Sequence, residues 1–484
     1  MHLKRLITLG AALAAGVLAA CDKDPAAPTG VLTLTCPTGN LATNASIALN
    51  FSLPLRASTV SPANIVVTNA TTGIEIPGAL LLSASGTQVV FAPSSQLPFG
   101  TVLGIRAQNL VSADGSVPMS VVVCNVLTEP PPIAEVVWTR LDSPTGTDLS
   151  GASLFAPDSG WVSSLAVPMY RRVGTGWDVR FNQPYFVRTS DVRFVSAQHG
   201  YGAHLDQRQG RSVITQSQDG GFNFDTVFTR AGRDVRRLWI DSVNSNGKLF
   251  GVAGGGSATS AMLLKMNPTN STFTEVFTMG STASVADISF ARNDTTTGFA
   301  VSSGAFFLSI PPLVLPGRLF RTTNGGSTWA EVPNSQADTT NVIVYRGVAR
   351  RGSPSGDVFV TGGNGFVGRF PGGNAPVQKI NLGIASRDTN TYTALIYNDV
   401  EFAPDNDLYG WIVGAQLLGI ENGVPRYQGL IFRTRDGGVT WVRQGVIGAE
   451  DYGALFPPLN RLVVYSSTEA WAVGDAGTVI SLNP

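Results

Sequence analysis

The sequence predicts an all-β protein with two folded modules, the second of which is built from repeated four-stranded sheets. Three observations indicate this fold class. The 484 residues include 54 Gly and 29 Pro, a content that favours tight turns and disfavours long helices. Short segments of alternating apolar and polar residues recur between turn signals, as in strands. All eight Trp residues lie between positions 138 and 471, so the chain changes character after its first quarter.

The charge balance excludes some classes of function. The chain carries 33 basic and 33 acidic residues, and a formal net charge of zero argues against a nucleic-acid-binding protein. Only 14% of the residues are charged and 9% are aromatic, which argues against disorder. A chain of this length can bury a substantial core.

Residues 1–20 have the organisation of a secretory signal. Lys4 and Arg5 precede an apolar run that is too short to span a membrane. The run ends in Leu-Ala-Ala-Cys, which resembles the lipobox of bacterial lipoproteins. The resemblance implies cleavage before Cys21 and acylation of Cys21, giving a protein anchored by lipid in the bacterial cell envelope. Residues 21–30 would form the tether, and the alternative is an ordinary secretory signal with an incidental Cys.

The cysteine count fits export. The chain has three Cys, and lipidation of Cys21 leaves Cys36 and Cys124. In an oxidising compartment such a pair favours a disulfide, and two free buried thiols are the alternative. The bond would close a loop of about 90 residues, worth at most about 4–5 kcal/mol by chain entropy.

Residues 31–128 predict a β-sandwich. Short alternating strands are expected at residues 32–35, 47–51, 65–67, 88–91 and 102–105, with turn signals between them. The stretches IALNFSLPL from Ile47, STVSPANIVV from Ser58 and FAPSSQLPFG from Phe91 resemble the bacterial Ig-like module. The resemblance implies a spacer, and residues 129–133 follow as a Pro-rich linker.

Residues 134–484 contain an internal repeat. Each copy is a short strand, a bend and a second apolar strand; copies begin at Leu154, Val192, Leu238, Ile288, Val348, Val400 and Leu462. Each second strand carries an aromatic residue, at Trp161, Tyr201, Phe250, Phe299, Phe359, Trp411 and Trp471. The spacings lie between 40 and 60 residues, which is the period of a β-propeller blade. The seven copies predict a seven-bladed propeller.

Closure of the ring can also be predicted. The chain ends after an apolar segment at residues 478–482, which would be the third strand of the last blade. Residues 135–140, directly after the linker, would supply the missing fourth strand. Such pairing would leave no open sheet edge.

A second marker falls between the copies: SQDGGFNF from Ser217, TTNGGSTW from Thr322 and TRDGGVTW from Thr434. Asp or Asn accepts turn amide hydrogens, and Gly allows positive φ, so a tight hairpin is expected. The three stretches resemble the Asp-box, or BNR repeat. The resemblance implies a structural role between the third and fourth strands of a blade, opposite the binding face, for Asp219, Gly221, Asn324, Gly326, Trp329, Asp436, Gly438 and Trp441.

The repeats GWIVG from Gly410 and AWAVGDAGTVISL from Ala470 resemble those of the Ycf48-like assembly factors and related bacterial propeller lipoproteins. The resemblance implies a non-catalytic binding or assembly scaffold. The alternative is a carbohydrate-binding or glycoside-hydrolysing, sialidase-like propeller. Against it, the Arg-containing stretch of sialidases has no match at Tyr170 or Phe186, and glucanases of the Asp-box class pair two propellers.

No cofactor or metal site is predicted. His199 and His204 lie close together with only Asp206 nearby, and a metal needs more ligands, so both are interpreted as polar turn residues. The GGNG stretch at Gly362 lacks the Lys and helix of a phosphate loop.

A partner surface is predicted on the propeller face opposite the Asp-boxes. Two connections from second to third strand are long, at residues 305–317 and 415–428. The first is apolar, and exposed apolar clusters mark contact surfaces for a protein or glycan partner. The candidate contact residues are Phe306, Phe307, Leu308, Ile310 and Leu313. The alternative is that this loop caps the channel or packs on the first module.

Overall fold

The computed structural model describes residues 30–70, 73–166, 168–182, 186–242, 249–257, 260–280, 283–291, 294–307, 313–335, 344–352, 356–374, 376–384 and 394–482. The chain divides into two compact units, Met1–Leu97 with Val102–Thr128 and Pro98–Thr101 with Glu129–Pro484. Nearly all regular structure is strand. The described residues add one helical turn, α1 (Glu450–Gly453), and three 3₁₀ turns (Ala57–Thr59, Pro371–Gly373, Asp475–Gly477). The all-β fold class is therefore confirmed.

The first unit is a sandwich of two four-stranded sheets. Its strands are β1 (Leu34–Thr35), β2 (Asn40–Leu41), β3 (Ile47–Phe51), β4 (Ile65–Asn69), β5 (Gly78–Leu82), β6 (Gln88–Pro93), β7 (Val102–Ala107) and β8 (Val122–Thr128). One sheet has the order β1-β3-β6-β5 and the other β2-β8-β7-β4. Alternate residues of β3 are buried between the sheets, as its sequence pattern predicts. A disulfide joins Cys36 to Cys124 with 5.4 Å between the Cα atoms.

The second unit begins with β9 (Ile133–Arg140) and continues with sheets that follow one another along the chain. Sheet 1 is β10 (Leu149–Ala156), β11 (Ser159–Ser164), β12 (Met169–Val173) and β13 (Gly176–Phe181). Sheet 2 is β14 (Phe186–Phe194), β15 (Gly200–Asp206), β16 (Arg211–Ser217) and β17 (Asp225–Ala231). Sheet 3 is β18 (Asp234–Ser242), β19 (Leu249–Ser257), β20 (Ser260–Met266) and β21 (Phe273–Gly280).

Sheet 4 contains an inserted ribbon, β24 (Ala305–Phe307) and β25 (Leu313–Leu315), between its second and third strands; the sheet itself is β22 (Val285–Ala291), β23 (Asp294–Ser302), β26 (Leu319–Thr322) and β27 (Ala330–Glu331). Sheet 5 is β28 (Tyr345–Arg350), β29 (Val358–Gly362), β30 (Val367–Phe370) and β31 (Gln378–Lys379). Sheet 6 is β32 (Leu395–Phe402), β33 (Gly410–Glu421), β34 (Val424–Thr434) and β35 (Val442–Val446). Sheet 7 is β36 (Leu459–Ser466), β37 (Glu469–Gly474), β38 (Val479–Leu482) and β9.

The sheets of the described part of the second unit form a ring. The first strand of each sheet packs against the first strand of the next, and β36 packs against β10. The first strands therefore surround a central channel, as in a β-propeller. The aromatic residues that marked the repeats lie on second strands, where six of the seven are buried; Phe250 is half-buried. They fill the core between neighbouring sheets.

Strand β9 closes the ring in two ways. It pairs antiparallel with β38, as predicted. It also pairs in parallel with β35 of sheet 6, which the sequence did not predict. The indole Nε1 atoms of Trp138 and Trp411 both donate to Oε1 of Gln444, at 3.0 and 3.1 Å. Burial opposes the effect, but hydrogen bonds from Gln444 and Arg433 lower the pKa of Glu135 on β9.

The two long connections are not simple loops. Residues 415–428 continue the β33–β34 hairpin as far as Asn422-Gly423, and both of these residues have positive φ (51° and 81°). This is the two-residue hairpin turn that Asn-Gly favours, so the loop prediction was wrong there. In residues 305–317, the backbone of Phe306, Phe307 and Leu313 forms the ribbon β24–β25. Leu308 and Ile310 lie outside the described residues, as do Cys21 and the signal segment.

Candidate functional site

Every first strand of the propeller has a bulge near its N-terminal end. The pairing register with the second strand shifts there, after Leu149, Thr189, Val235, Val285, Tyr345, Tyr397 and Leu459. Bulges re-aim side chains. The seven bulged residues line one cavity of about 370 Å³, the upper cavity; they are Ser150, Ser190, Arg236, Ala286, Arg346, Asn398 and Asn460.

Strand directions fix the face on which this cavity opens. A first strand begins where the antiparallel second strand ends, which is the side of the connections from second to third strand. The turns between third and fourth strands lie at the opposite end. The upper cavity therefore shares its face with the protruding β33–β34 hairpin and with the ribbon β24–β25.

The residue after each bulge faces a buried layer of charge. We call Asp191, Arg237, Asp287, Asp399 and Arg461 the charge ring. Nη1 of Arg461 lies 2.9 Å from Oδ1 of Asp287 and 3.1 Å from Oδ2 of Asp399, so one guanidinium from sheet 7 binds sheets 4 and 6. Nε of Arg237 lies 3.7 Å from the same Oδ1 of Asp287. Buried charges persist only when paired in this way.

The Asp residues of the charge ring also tie each even-numbered sheet to the next. Oδ2 of Asp191 accepts the backbone N–H of Leu238, and Oδ2 of Asp399 accepts that of Leu462, both at 2.9 Å. Asp287 makes the same bond to sheet 5. Burial raises the pKa of Asp399, and Arg461 opposes the rise. These oxygens are occupied by structural contacts, so the ring joins sheets.

The sequence carries a signal for the charge ring that sequence reasoning missed. Asp191, Asp287 and Asp399 each begin the pattern Asp-[Val/Ile]-x-Phe, at spacings of 96 and 112 residues. The predicted repeat copies started one residue after each Asp. The pattern marks sheets 2, 4 and 6, which also carry the three Gly-Gly turns, so the underlying period covers two sheets.

The upper cavity has a cationic side. Asp234 forms an ion pair with Arg188 and lies 3.6 Å from Arg236, so one carboxylate serves two guanidinium groups. Arg346 is exposed and has no carboxylate within 4.0 Å among the residues that the structure describes. Burial of its guanidinium lowers the pKa of Arg346, and Arg237 and Arg236 lower it further. Positive charge therefore exceeds negative charge on this side.

The upper cavity also has an anionic side. Asp148 precedes sheet 1, and Asp475 lies in the turn between the second and third strands of sheet 7; both line the cavity. Asp475 accepts a hydrogen bond from Nδ2 of Asn460 at 2.8 Å, and Asp148 accepts the N–H of Ala476 at 3.0 Å. Burial raises the pKa of Asp475; Asn460 opposes this and Asp148 adds to it. Neither carboxylate forms an ion pair within the described part of the chain.

A lower cavity of about 410 Å³ lies on the other side of the charge ring, which Asp287 and Arg461 line from below. Its wall combines the carboxylate of Glu401 with the aromatic rings of Trp239 and Phe402. Oε2 of Glu401 accepts the N–H of Val464 at 2.8 Å. Among the described residues, no group of three or more His, Cys, Asp or Glu could hold a metal ion.

The three Gly-Gly turns hold their acidic residues in hydrogen bonds. Oδ1 of Asp436 accepts the N–H groups of Val439 and Thr440, at 3.0 and 2.9 Å. Oδ1 of Asp219 accepts N–H groups in the same way, and the bonds from Asn223 lower the pKa of Asp219 to about 2. Oδ1 of Asn324 accepts one such N–H at 2.9 Å. These side chains stabilise turns.

The second Gly of each turn packs on the preceding sheet. Gly221 and Gly438 have φ of 84° and 88°, and a Cβ on either would collide with an aromatic ring, Trp161 or Phe359. In sheets 4 and 6 a Trp closes the turn: Nε1 of Trp329 donates to the carbonyl of Gly326 at 3.2 Å, and Trp441 does the same to Gly438 at 3.3 Å. The turns therefore join neighbouring sheets on the lower face.

His204 is a core residue of β15, so its interpretation as a turn residue was wrong. Its Nδ1 lies 3.1 Å from Oγ1 of Thr189, and its Nε2 lies 2.8 Å from Oγ1 of Thr215. The ring stacks between Phe181 and Phe186. Burial lowers the pKa of His204 to about 3.

Comparisons with known proteins support the fold of both units. The family model of the bacterial Ig-like domain matches residues 29–112. No curated protein matches the chain. Among solved structures the chain is similar to "YCF48 bound to D1 peptide" (12% identity, 74% of this chain and 100% of that chain, TM-score 0.49). It is also similar to the GH74 xyloglucanase from Xanthomonas campestris (14% identity, 72% of this chain, TM-score 0.52). The chain covers 53% of that xyloglucanase, and the likeness shows a propeller fold alone.

Proposed function

We propose that the chain is an exported lipoprotein with this order of parts: a signal at residues 1–20, a tether at 21–30 beginning with lipidated Cys21, an Ig-like spacer at 31–128, a linker at 129–133 and a seven-bladed Asp-box propeller at 134–484. Basic residues, apolar run and lipobox occur in the required order, which supports the anchor. Mass spectrometry of the N-terminal peptide should find an acylated Cys21. An unmodified peptide, or membrane association retained by Cys21→Ser, would contradict the anchor.

The propeller acts as a non-catalytic scaffold that binds a partner on its upper face. One observation carries this proposal: the upper face combines a preformed cavity bearing unneutralised charges with a protruding hairpin. Ile420 and Val424 near the hairpin tip are 71% and 63% exposed. Exposed apolar side chains beside a polar cavity suit a contact surface. Elsewhere the acidic residues of the turns and of the charge ring are committed to structural bonds.

Crosslinking in native cells followed by mass spectrometry tests the scaffold. The variant Ile420→Ser/Val424→Ser should lose the crosslinked partner while its thermal unfolding stays unchanged. Val439→Ser is the matched control, because Val439 is 67% exposed and lies on a Gly-Gly turn of the lower face. Equal crosslinking by both variants would refute an upper binding face.

A glycan-binding or glycan-hydrolysing propeller is the second candidate. The lower cavity favours it, because aromatic rings beside carboxylates are typical of sugar sites. Against hydrolysis, the acid pair across the channel, Asp287 and Asp399, is bridged by Arg461. A glycan array with the wild type and Trp239→Ala decides this point: binding lost in the variant would support the lower cavity as a sugar site.

A further inference from the structure

We infer that the upper cavity binds a small zwitterion, an amino acid or a short peptide with free termini, placing its carboxylate against Arg236 and Arg346 and its ammonium group against Asp148 and Asp475. This inference rests on the proposed function and names the ligand chemistry of the same face. It follows from where the four charged side chains lie in the ring and from how few of their charges are neutralised.

The order of the sheets places the two charge types across the channel from each other. Arg236 belongs to sheet 3 and Arg346 to sheet 5, which flank sheet 4. Asp148 precedes sheet 1 and Asp475 belongs to sheet 7, which are neighbours where the ring closes. In a ring of seven, the junction of sheets 7 and 1 lies opposite sheet 4. The arginines therefore face the aspartates over one shared cavity.

Both sides carry charge that the described residues leave without an opposite partner. On the cationic side, Asp234 is shared between Arg188 and Arg236, and no carboxylate lies within 4.0 Å of Arg346 in the described ranges. On the anionic side, Asp148 and Asp475 accept hydrogen bonds only from neutral donors among the described residues. The cavity as a whole is polar, with Ser150, Ser190 and other neutral side chains between the two poles.

A zwitterion fits these poles better than a simple ion does. A simple anion would relieve the repulsion among the arginines and would meet the repulsion of the two carboxylates across the cavity. A ligand with both charges relieves both repulsions at once, through charge-assisted hydrogen bonds at each end. Guanidinium groups can bind a carboxylate with two parallel hydrogen bonds, which also fixes the orientation of the ligand.

Isothermal titration calorimetry on the full-length protein tests the inference with three probes: trialanine, N-acetyl-trialanine and trialanine amide. Free trialanine should bind, and each blocked peptide should bind at least tenfold more weakly. Alanine is a fourth probe, and equal affinity for it would make the ligand an amino acid. No measurable binding of alanine or trialanine, or equal affinity for the blocked peptides, would overturn the inference.

Variants then assign each pole. Arg346→Gln should remove the preference for a free carboxylate, and Asp475→Asn should remove the preference for a free ammonium group. Arg230→Gln, on the outer strand β17, is the control and should leave all affinities unchanged. The probe comparison uses wild-type protein, so it holds even if a variant fails to fold. Failure here together with partner loss in the Ile420/Val424 variant would overturn the zwitterion site and leave the scaffold standing.

Discussion

Replacing Arg461 with Met is the most direct test of the charge ring. Met keeps an unbranched side chain of similar length and removes the guanidinium that lies 2.9 Å from Asp287 and 3.1 Å from Asp399. Asp287 keeps Arg237 at 3.7 Å. Asp399 keeps only backbone N–H donors, from Val400 and Leu462. The variant therefore leaves one buried carboxylate without a cation.

The expected cost follows from that single unpaired charge. Breaking a buried ion pair by removing one partner lowers the free energy of unfolding by about 3–5 kcal/mol. We expect the lower half of this range for Arg461→Met, because Asp287 retains a partner. By contrast Arg426→Met removes an exposed ion pair with Glu421 at the hairpin tip and should cost less than about 1 kcal/mol.

The penalty should depend on pH with a definite sign. Arg461 is the group that opposes the burial-induced rise in the pKa of Asp399, so its removal raises that pKa further. An acid whose pKa is higher in the folded state binds a proton there first, and protonation relieves the unpaired charge. The penalty should be largest at neutral pH and should shrink as the pH falls through the raised folded-state pKa.

Urea unfolding followed by Trp fluorescence measures this prediction. All eight Trp residues lie in the second unit, so the signal reports on the propeller alone. Arg461→Met, Arg426→Met and the wild type are compared at pH 7.5 and pH 5. A cost below 1 kcal/mol for Arg461→Met at pH 7.5, or a cost that grows as the pH falls, would refute the reasoning.

Three further predictions concern other sites. Burial lowers the pKa of His204 to about 3, so wild-type stability should fall as the pH drops below about 6.5, and His204→Gln should spare about 2 kcal/mol of that loss between pH 7.5 and 5; equal losses in urea titrations would contradict this. Asp436→Ala should cost about 1–2 kcal/mol, like the loss of a cap, and leave trialanine binding unchanged, because the turn lies on the lower face; calorimetry of unfolding and binding measures both. Cys36→Ser should lower the stability of the first unit by up to about 4–5 kcal/mol in scanning calorimetry, and a shift in the Trp transition would count against independent units.

Local patterns in the sequence were sufficient to predict much of the fold. Alternating residues predicted strands such as β3, and the second-strand aromatics predicted where the repeated sheets lie. The closing pair of β9 and β38 followed from counting strands at the two ends of the module. The N-G turn of the β33–β34 hairpin was also readable, and it was missed because the connection was judged by its length alone.

The channel residues were harder to predict for a physical reason. Asp191, Asp287, Asp399 and Arg461 meet only because the ring closes, and no two of them are near in sequence. A bulge in each first strand also shifts the register by one residue, which changes the face that a side chain occupies. A period-two pattern therefore cannot tell which residue of a first strand points into the channel.

Strand β9 imposes an order of events on the folding of the propeller. It is the first propeller strand to be synthesised, yet its partners Val446 and Leu482 lie at the far end of the chain. Contacts that span more than 300 residues carry a large loop-closure cost and form late. Until the last residues emerge, two sheets keep exposed edges and Trp138 has no pocket, so the nearly complete chain is the state most exposed to aggregation.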